Sequence, residues 1–108
     1  MSSFTHFRLE IDGTVVPEPD FLKWAIWFET AARGLDETFV TDTRTGERIR
    51  IATSFVGLSG GEGRPPLLWE TLVFGGRMDG EGKRSATVEE ARQAHREFAD
   101  RVRGKHAR

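Results

Sequence analysis

The chain contains no cysteine and no tyrosine. Without cysteine there can be no disulfide framework and no thiolate-ligated zinc site. No apolar run approaches the ~20 residues a membrane-spanning helix needs. The opening stretch MSSFTHFRLEIDG lacks the basic-then-apolar pattern of a secretory signal. An excess of one charge is missing too: sixteen Lys and Arg stand against seventeen Asp and Glu, a formal net charge of −1. That balance argues against general nucleic-acid binding, which draws on a marked basic surplus. The hydrolase signatures H-E-x-x-H and G-x-S-x-G are absent, and His6, His95 and His106 have no metal-ligand spacing. The expectation is no metal and no cofactor.

Twelve glycines punctuate the 108 residues, and they invite a phosphate-loop reading that fails. Such a loop needs G-x-x-x-x-G-K-[ST] opening a helix, so that backbone N–H groups face the anion. Here Gly82-Lys83 is followed by Arg84, and Arg77 occupies the place of the first glycine. Gly60-Gly61-Glu62-Gly63 leads into two prolines and an apolar segment. The glycines read as turns.

Length fits one domain spanning 1–108, large enough to bury roughly two thirds of its unfolded surface. Alternation over Phe4–Ile11 predicts a first strand, Asp12-Gly13 a turn, and Val15-Val16 a short extended piece. A helix over Phe21–Arg33 starts with Pro19 in its first turn or Asp20 as its N-cap, with Phe21, Trp24, Ala25, Phe28, Ala31 and Ala32 as its apolar stripe. Gly34 with Leu35 has the form of a left-handed helix terminus. Glu37–Thr43 and Glu47–Leu58 read as a hairpin around Arg44-Thr45-Gly46, with Gly46 at positive φ. Ile49, Ile51, Thr53 and Phe55 share one face of its second strand. Leu67–Phe74 is apolar on both faces, as in a strand that is central or covered on both sides. A glycine-rich connection over Gly75–Gly82 precedes a short edge strand at Lys83–Ser85. Thr87-Val88-Glu89-Glu90 spells a capping box. The helix it opens runs to about Arg103, with Val88, Ala91, His95, Phe98 and Val102 inward and Arg101 and Arg103 complementing its dipole. Residues 104–108 form a frayed tail. The order β-α-β-β-β-(β)-α predicts an α+β fold, an antiparallel sheet of about four strands with two helices. Trp24, Phe28, Leu68, Leu72 and Phe98 are the expected core.

Two residues are candidates for chemistry. Glu70 sits mid-strand between Leu68 and Leu72, where an unpaired carboxylate is costly; the alternative is a solvated patch or pairing with Arg50 or Thr53. His95 lies within an apolar stripe and could complete an acid–base dyad with Glu70, or be a core histidine that is simply hydrogen-bonded. Antiparallel pairing also brings the Arg44–Gly46 turn and the Arg77–Gly82 loop to the same end of the sheet. Arg44, Arg77, Met78 and Asp79 are therefore the candidate binding residues.

The segments TSFVGL (Thr53–Leu58), PPLLWETLVFGG (Pro65–Gly76), T-V-E-E-A-x-x-x-H (Thr87–His95) and W-x-x-W-F-E (Trp24–Glu29) together resemble a group of small uncharacterised proteins encoded by bacteriophages and prophages. The resemblance carries no activity, cofactor or catalytic residue. It implies only a mobile-element origin; with the lack of cysteine, which fits a reducing cytoplasm, the expected location is the cytoplasm of a host bacterium. The function expected is that of an accessory protein acting non-enzymatically, by binding a host or defence macromolecule, in the first instance a protein. The alternatives are a small enzyme or ligand-binding protein using Glu70 and His95, and a minor virion or assembly component.

Overall fold

A computed structural model describes residues 6–58 and 66–104 of the chain. The expected strand start at Phe4–Thr5, most of the Ser59–Pro66 loop and the tail beyond Gly104 lie outside the described residues. Eight elements follow in order: β1 (Phe7–Leu9), β2 (Val15–Pro17), α1 (Phe21–Thr30), β3 (Gly34–Thr41), β4 (Arg48–Phe55), β5 (Trp69–Phe74), β6 (Gly82–Ser85) and α2 (Val88–Val102). The fold is α+β, with two helices and two antiparallel sheets. The larger sheet has the order β3-β4-β5-β6. β1 is not part of it; it pairs with β2 as a separate ribbon, Arg8 opposite Val16.

α2 packs across one face of the four-stranded sheet. Its N-terminus is built by the capping box: Thr87 Oγ1 accepts from Glu90 N at 3.1 Å, and Glu90 Oε1 accepts from Ala86 N at 3.1 Å. Three- and four-residue spacing then turns Ala91, Ala94, His95, Phe98 and Ala99 inward. They meet Ile49, Ile51, Thr53 and Phe55 of β4 and Trp69, Thr71 and Val73 of β5, all buried. Two apolar clusters result. One joins Ile49, Ile51, Val73 and Phe98; the other joins Phe55, Leu68, Trp69 and Ala91.

Among the described residues no helix lies on the opposite face of this sheet, so of the two readings of its apolarity β5 fits the first: it is a central strand, between β4 and β6, and is not covered on both sides. Leu72 is half-buried and Phe74 exposed there, so Leu72 is not a core residue. A strand apolar on both faces carries no alternation to reveal which side meets the helix. Register puts Phe39, Arg50 and Phe74 in one row across that face. Arg48 lies over the Phe39 ring, and Arg50 pairs with Glu37. The face mixes exposed aromatic rings with charged side chains that pair with one another or lie over those rings.

The first helix is shorter than its stripe implied. It starts as expected, with Asp20 accepting from Lys23 N, but ends at Thr30 because the chain turns extended at Ala31. Arg33 replaces the glycine terminus: Nε donates to the Phe28 carbonyl at 3.2 Å and Nη1 to the Phe55 carbonyl at 2.9 Å. Gly34 has no positive φ and begins β3. Trp24 is buried, whereas Phe21 is 60% exposed and Phe28 half-buried under the Arg33 guanidinium. Gly46 has the expected positive φ of 76° in the hairpin turn.

α1 and β1 join the main sheet at Gly57. Phe7 N donates to the Gly57 carbonyl at 2.8 Å, and Trp24 Nε1 donates to the Phe7 carbonyl at 2.9 Å. A Cβ on Gly57 would lie 2.4 Å from Phe7 O, and φ there is +68°. Only glycine allows this close approach.

Candidate functional site

His95 is 2% exposed, held between α2 and the sheet. Its Nδ1 lies 2.8 Å from Thr53 Oγ1, which in turn lies 2.6 Å from Thr71 Oγ1. Its Nε2 lies 2.8 Å from Thr38 Oγ1. In the neutral ring one nitrogen donates and the other accepts, so Thr53 and Thr38 satisfy both imidazole nitrogens, and Thr71 extends the chain to a third strand. Burial pushes the His95 pKa down; Asp36, 3.8 Å from Nε2, pulls upward and Arg103 adds to the lowering. Burial prevails, and the ring is held neutral. The arrangement suits a structural polar bridge in a low-dielectric layer, its ring almost wholly withdrawn from solvent.

Glu70 is on the other face of the sheet. It alternates with Trp69 and Thr71, which face α2, and it stands in register between Ser54 and Arg84. Its carboxylate meets Arg84 Nε at 3.4 Å, on the strand opposite from the Arg50 expected. Glu70 and His95 are therefore separated by the sheet and form no dyad. Arg50 is engaged by Glu37 at 2.6 Å.

The two loops do meet at one end of the sheet. The β3–β4 turn, the Gly75–Gly80 segment and the C-terminal end of α2 enclose an open cleft of about 490 Å³. Arg44, Arg77 and Met78 line it, as the antiparallel pairing implied. Carboxylates hold its walls in place. Glu47 Oε2 accepts from Gly76 N at 3.0 Å, tying hairpin to loop, and Asp42 Oδ1 accepts from Arg44 N at 2.8 Å. Asp79 does not join the lining; its Oδ1 accepts from Gly75 N at 2.7 Å and closes the loop on itself. The floor is the outer edge of the core, where Val40, Met78 and Val102 pack on Ile49 and Phe98.

Arg101, Val102 and Arg103 complete the lining. Sequence reasoning placed both arginines at the helix end as partners of its dipole. Their second role depends on where α2 terminates over the sheet, and no local pattern encodes that. A shallower groove runs between β6 and the outer side of α2, lined by Lys83, Glu89 and Glu97. Among the described residues no group of three or more His, Asp or Glu is disposed to hold a metal ion, and no helix is long and apolar enough to cross a membrane. Compared with known proteins, the chain matches no family model, no curated protein and no solved structure.

Proposed function

We propose that this chain is a non-enzymatic binding protein, an accessory protein of a phage or prophage that captures a host or defence macromolecule through the cleft at the end of its sheet. The observation that carries this reading is the convergence of Arg44, Arg77 and Met78 with Arg101 and Val102 in one preorganised, solvent-open cleft. Recognition surfaces are commonly built from loops held on a rigid scaffold, and here the loops are pinned by Glu47 and Asp79. The resemblance of the middle segments to phage and prophage proteins supports the biological setting. The separation of Glu70 from His95 weighs against chemistry between them.

Affinity capture from a bacterial host lysate, read by mass spectrometry, tests the reading. A partner retained by the wild type and by Glu70→Gln, but lost by Arg44→Glu combined with Arg77→Glu, supports it. Loss of an activity in Glu70→Gln or His95→Ala with the fold intact would favour the enzyme or ligand reading instead.

One observation favours a second reading, an assembly component. Phe21, Leu22 and Ile26 of α1 are each at least 60% exposed, more apolar surface than one short helix ordinarily leaves in water. Concentration-dependent sedimentation of the wild type, abolished by Leu22→Asp, would support that role.

A further inference from the structure

The walls of the cleft specify a partner chemistry. Among the described residues Arg44, Arg77, Arg101 and Arg103 line it, against a single lining carboxylate, Asp42. Three of the four guanidinium groups have a carboxylate nearby: Arg44 at 4.0 Å from Asp42, Arg101 at 3.3 Å from Glu81, and Arg103 at 3.7 Å from Asp100. These pairs are exposed, are worth little, and exchange readily for a better-placed acceptor. Arg77 has no ion-pair partner among the described residues. The floor offers Val40, Met78 and Val102, with a thioether that adapts its shape to what it meets.

An apolar centre inside a charged, wet rim is the anatomy of a protein interface. A small-molecule site would need buried polar groups that fix orientation. The buried side-chain polar atoms without a hydrogen-bond partner among the described residues are Arg8 Nε, which still faces Glu18 Oε1 at 3.1 Å, and Ser85 Oγ. Neither residue lines the cleft. A nucleic-acid strand would find arginines here but, among the described lining residues, no aromatic ring on which to stack a base.

We propose that the cleft receives an acidic segment of a partner protein, with one apolar side chain seated over Met78 and Val102 and flanking carboxylates held by Arg77, Arg44 and Arg101. The assignment rests on the binding reading above and adds the class of partner. Guanidinium forks match carboxylates in geometry as well as charge, and the excess of arginine steers an acidic chain toward the site in a salt-dependent way.

Methyl-labelled full chain provides the test, with the Met78 and Val102 signals read by NMR. The probes are a short peptide of Asp and Glu around a central Leu, the same peptide with Lys for the acids, the same with Ser for Leu, and a short oligothymidine. The acidic Leu peptide should move both methyls saturably, the Ser peptide should bind more weakly, and added salt should weaken both. Arg77→Glu should reduce affinity roughly tenfold or more, about one charge-assisted contact. Arg77→Lys should recover part of it, with the core methyls of Ile51 and Val73 unmoved in both variants. Equal or greater movement with the Lys peptide or oligothymidine overturns the acidic-segment assignment while leaving the cleft a binding surface. No movement with any probe overturns the assignment as well, and the binding reading then stands or falls on Arg77-dependent capture.

Discussion

Thr53 Oγ1 of β4 and His95 Nδ1 of α2 lie 2.8 Å apart, the central link of a buried polar bridge that ties the helix to three strands. The link has a pH signature. Burial lowers the His95 pKa below its usual value of about 6.5. Between the lowered value and about 6.5 the unfolded chain therefore binds a proton that the folded chain does not. Stability contributed by this site is complete above that window and declines as pH falls through it. Denaturant midpoints should be lower at mildly acidic pH than above neutrality, with the slope reduced in His95→Gln. An identical slope in the variant would contradict a buried neutral histidine.

Phe98 is almost fully buried against Ile49, Ile51 and Val73. Phe98→Ala should cost roughly 3–5 kcal/mol, from lost burial plus the cavity left behind. Equilibrium unfolding measures this directly, and an unchanged midpoint would show that α2 is not docked through this ring.

Gly57→Ala should be more damaging than Gly46→Ala. Both sites have positive φ, but a methyl at Gly46 meets open space, whereas at Gly57 it would collide with the Phe7 carbonyl. Gly46→Ala should destabilise by roughly 1 kcal/mol. Gly57→Ala should in addition displace β1 and shift the fluorescence of Trp24, whose indole donates to the same carbonyl. Equal effects at the two sites would refute the close approach.

Much of this architecture was legible in the sequence because the physical signals there are local. Alternation in Ile49, Ile51, Thr53 and Phe55 named the inward face of β4, and the capping box named the start of α2. What was hidden depends on contacts distant in sequence. Arg33 ends α1 by reaching the Phe28 and Phe55 carbonyls, a tertiary device that leaves no helix-stop residue. The uniform apolarity of β5 concealed that Leu72 and Phe74 face outward. For the site, antiparallel pairing was enough to bring Arg44 and Arg77 together. The contribution of Arg101 and Arg103 required the position of the end of α2.

Glu47 reaches from the hairpin to Gly76 N at 3.0 Å. Its side chain is exposed, so Glu47→Ala should leave the fold in place, within about 1 kcal/mol. It should nevertheless loosen the junction between the two loops and weaken binding in the cleft. Faster amide exchange at Gly76, together with reduced partner affinity, is the expected pair of results. Unchanged affinity would mean that the loops need no preorganisation.

The claim that the cleft is the working surface is tested most directly by site-specific photocrosslinking in host lysate. A benzoylphenylalanine at position 77, inside the cleft rim, should crosslink a discrete partner, and the same group at position 93, on the outer side of α2, should not. A partner crosslinked from position 93 and never from position 77 would contradict the account.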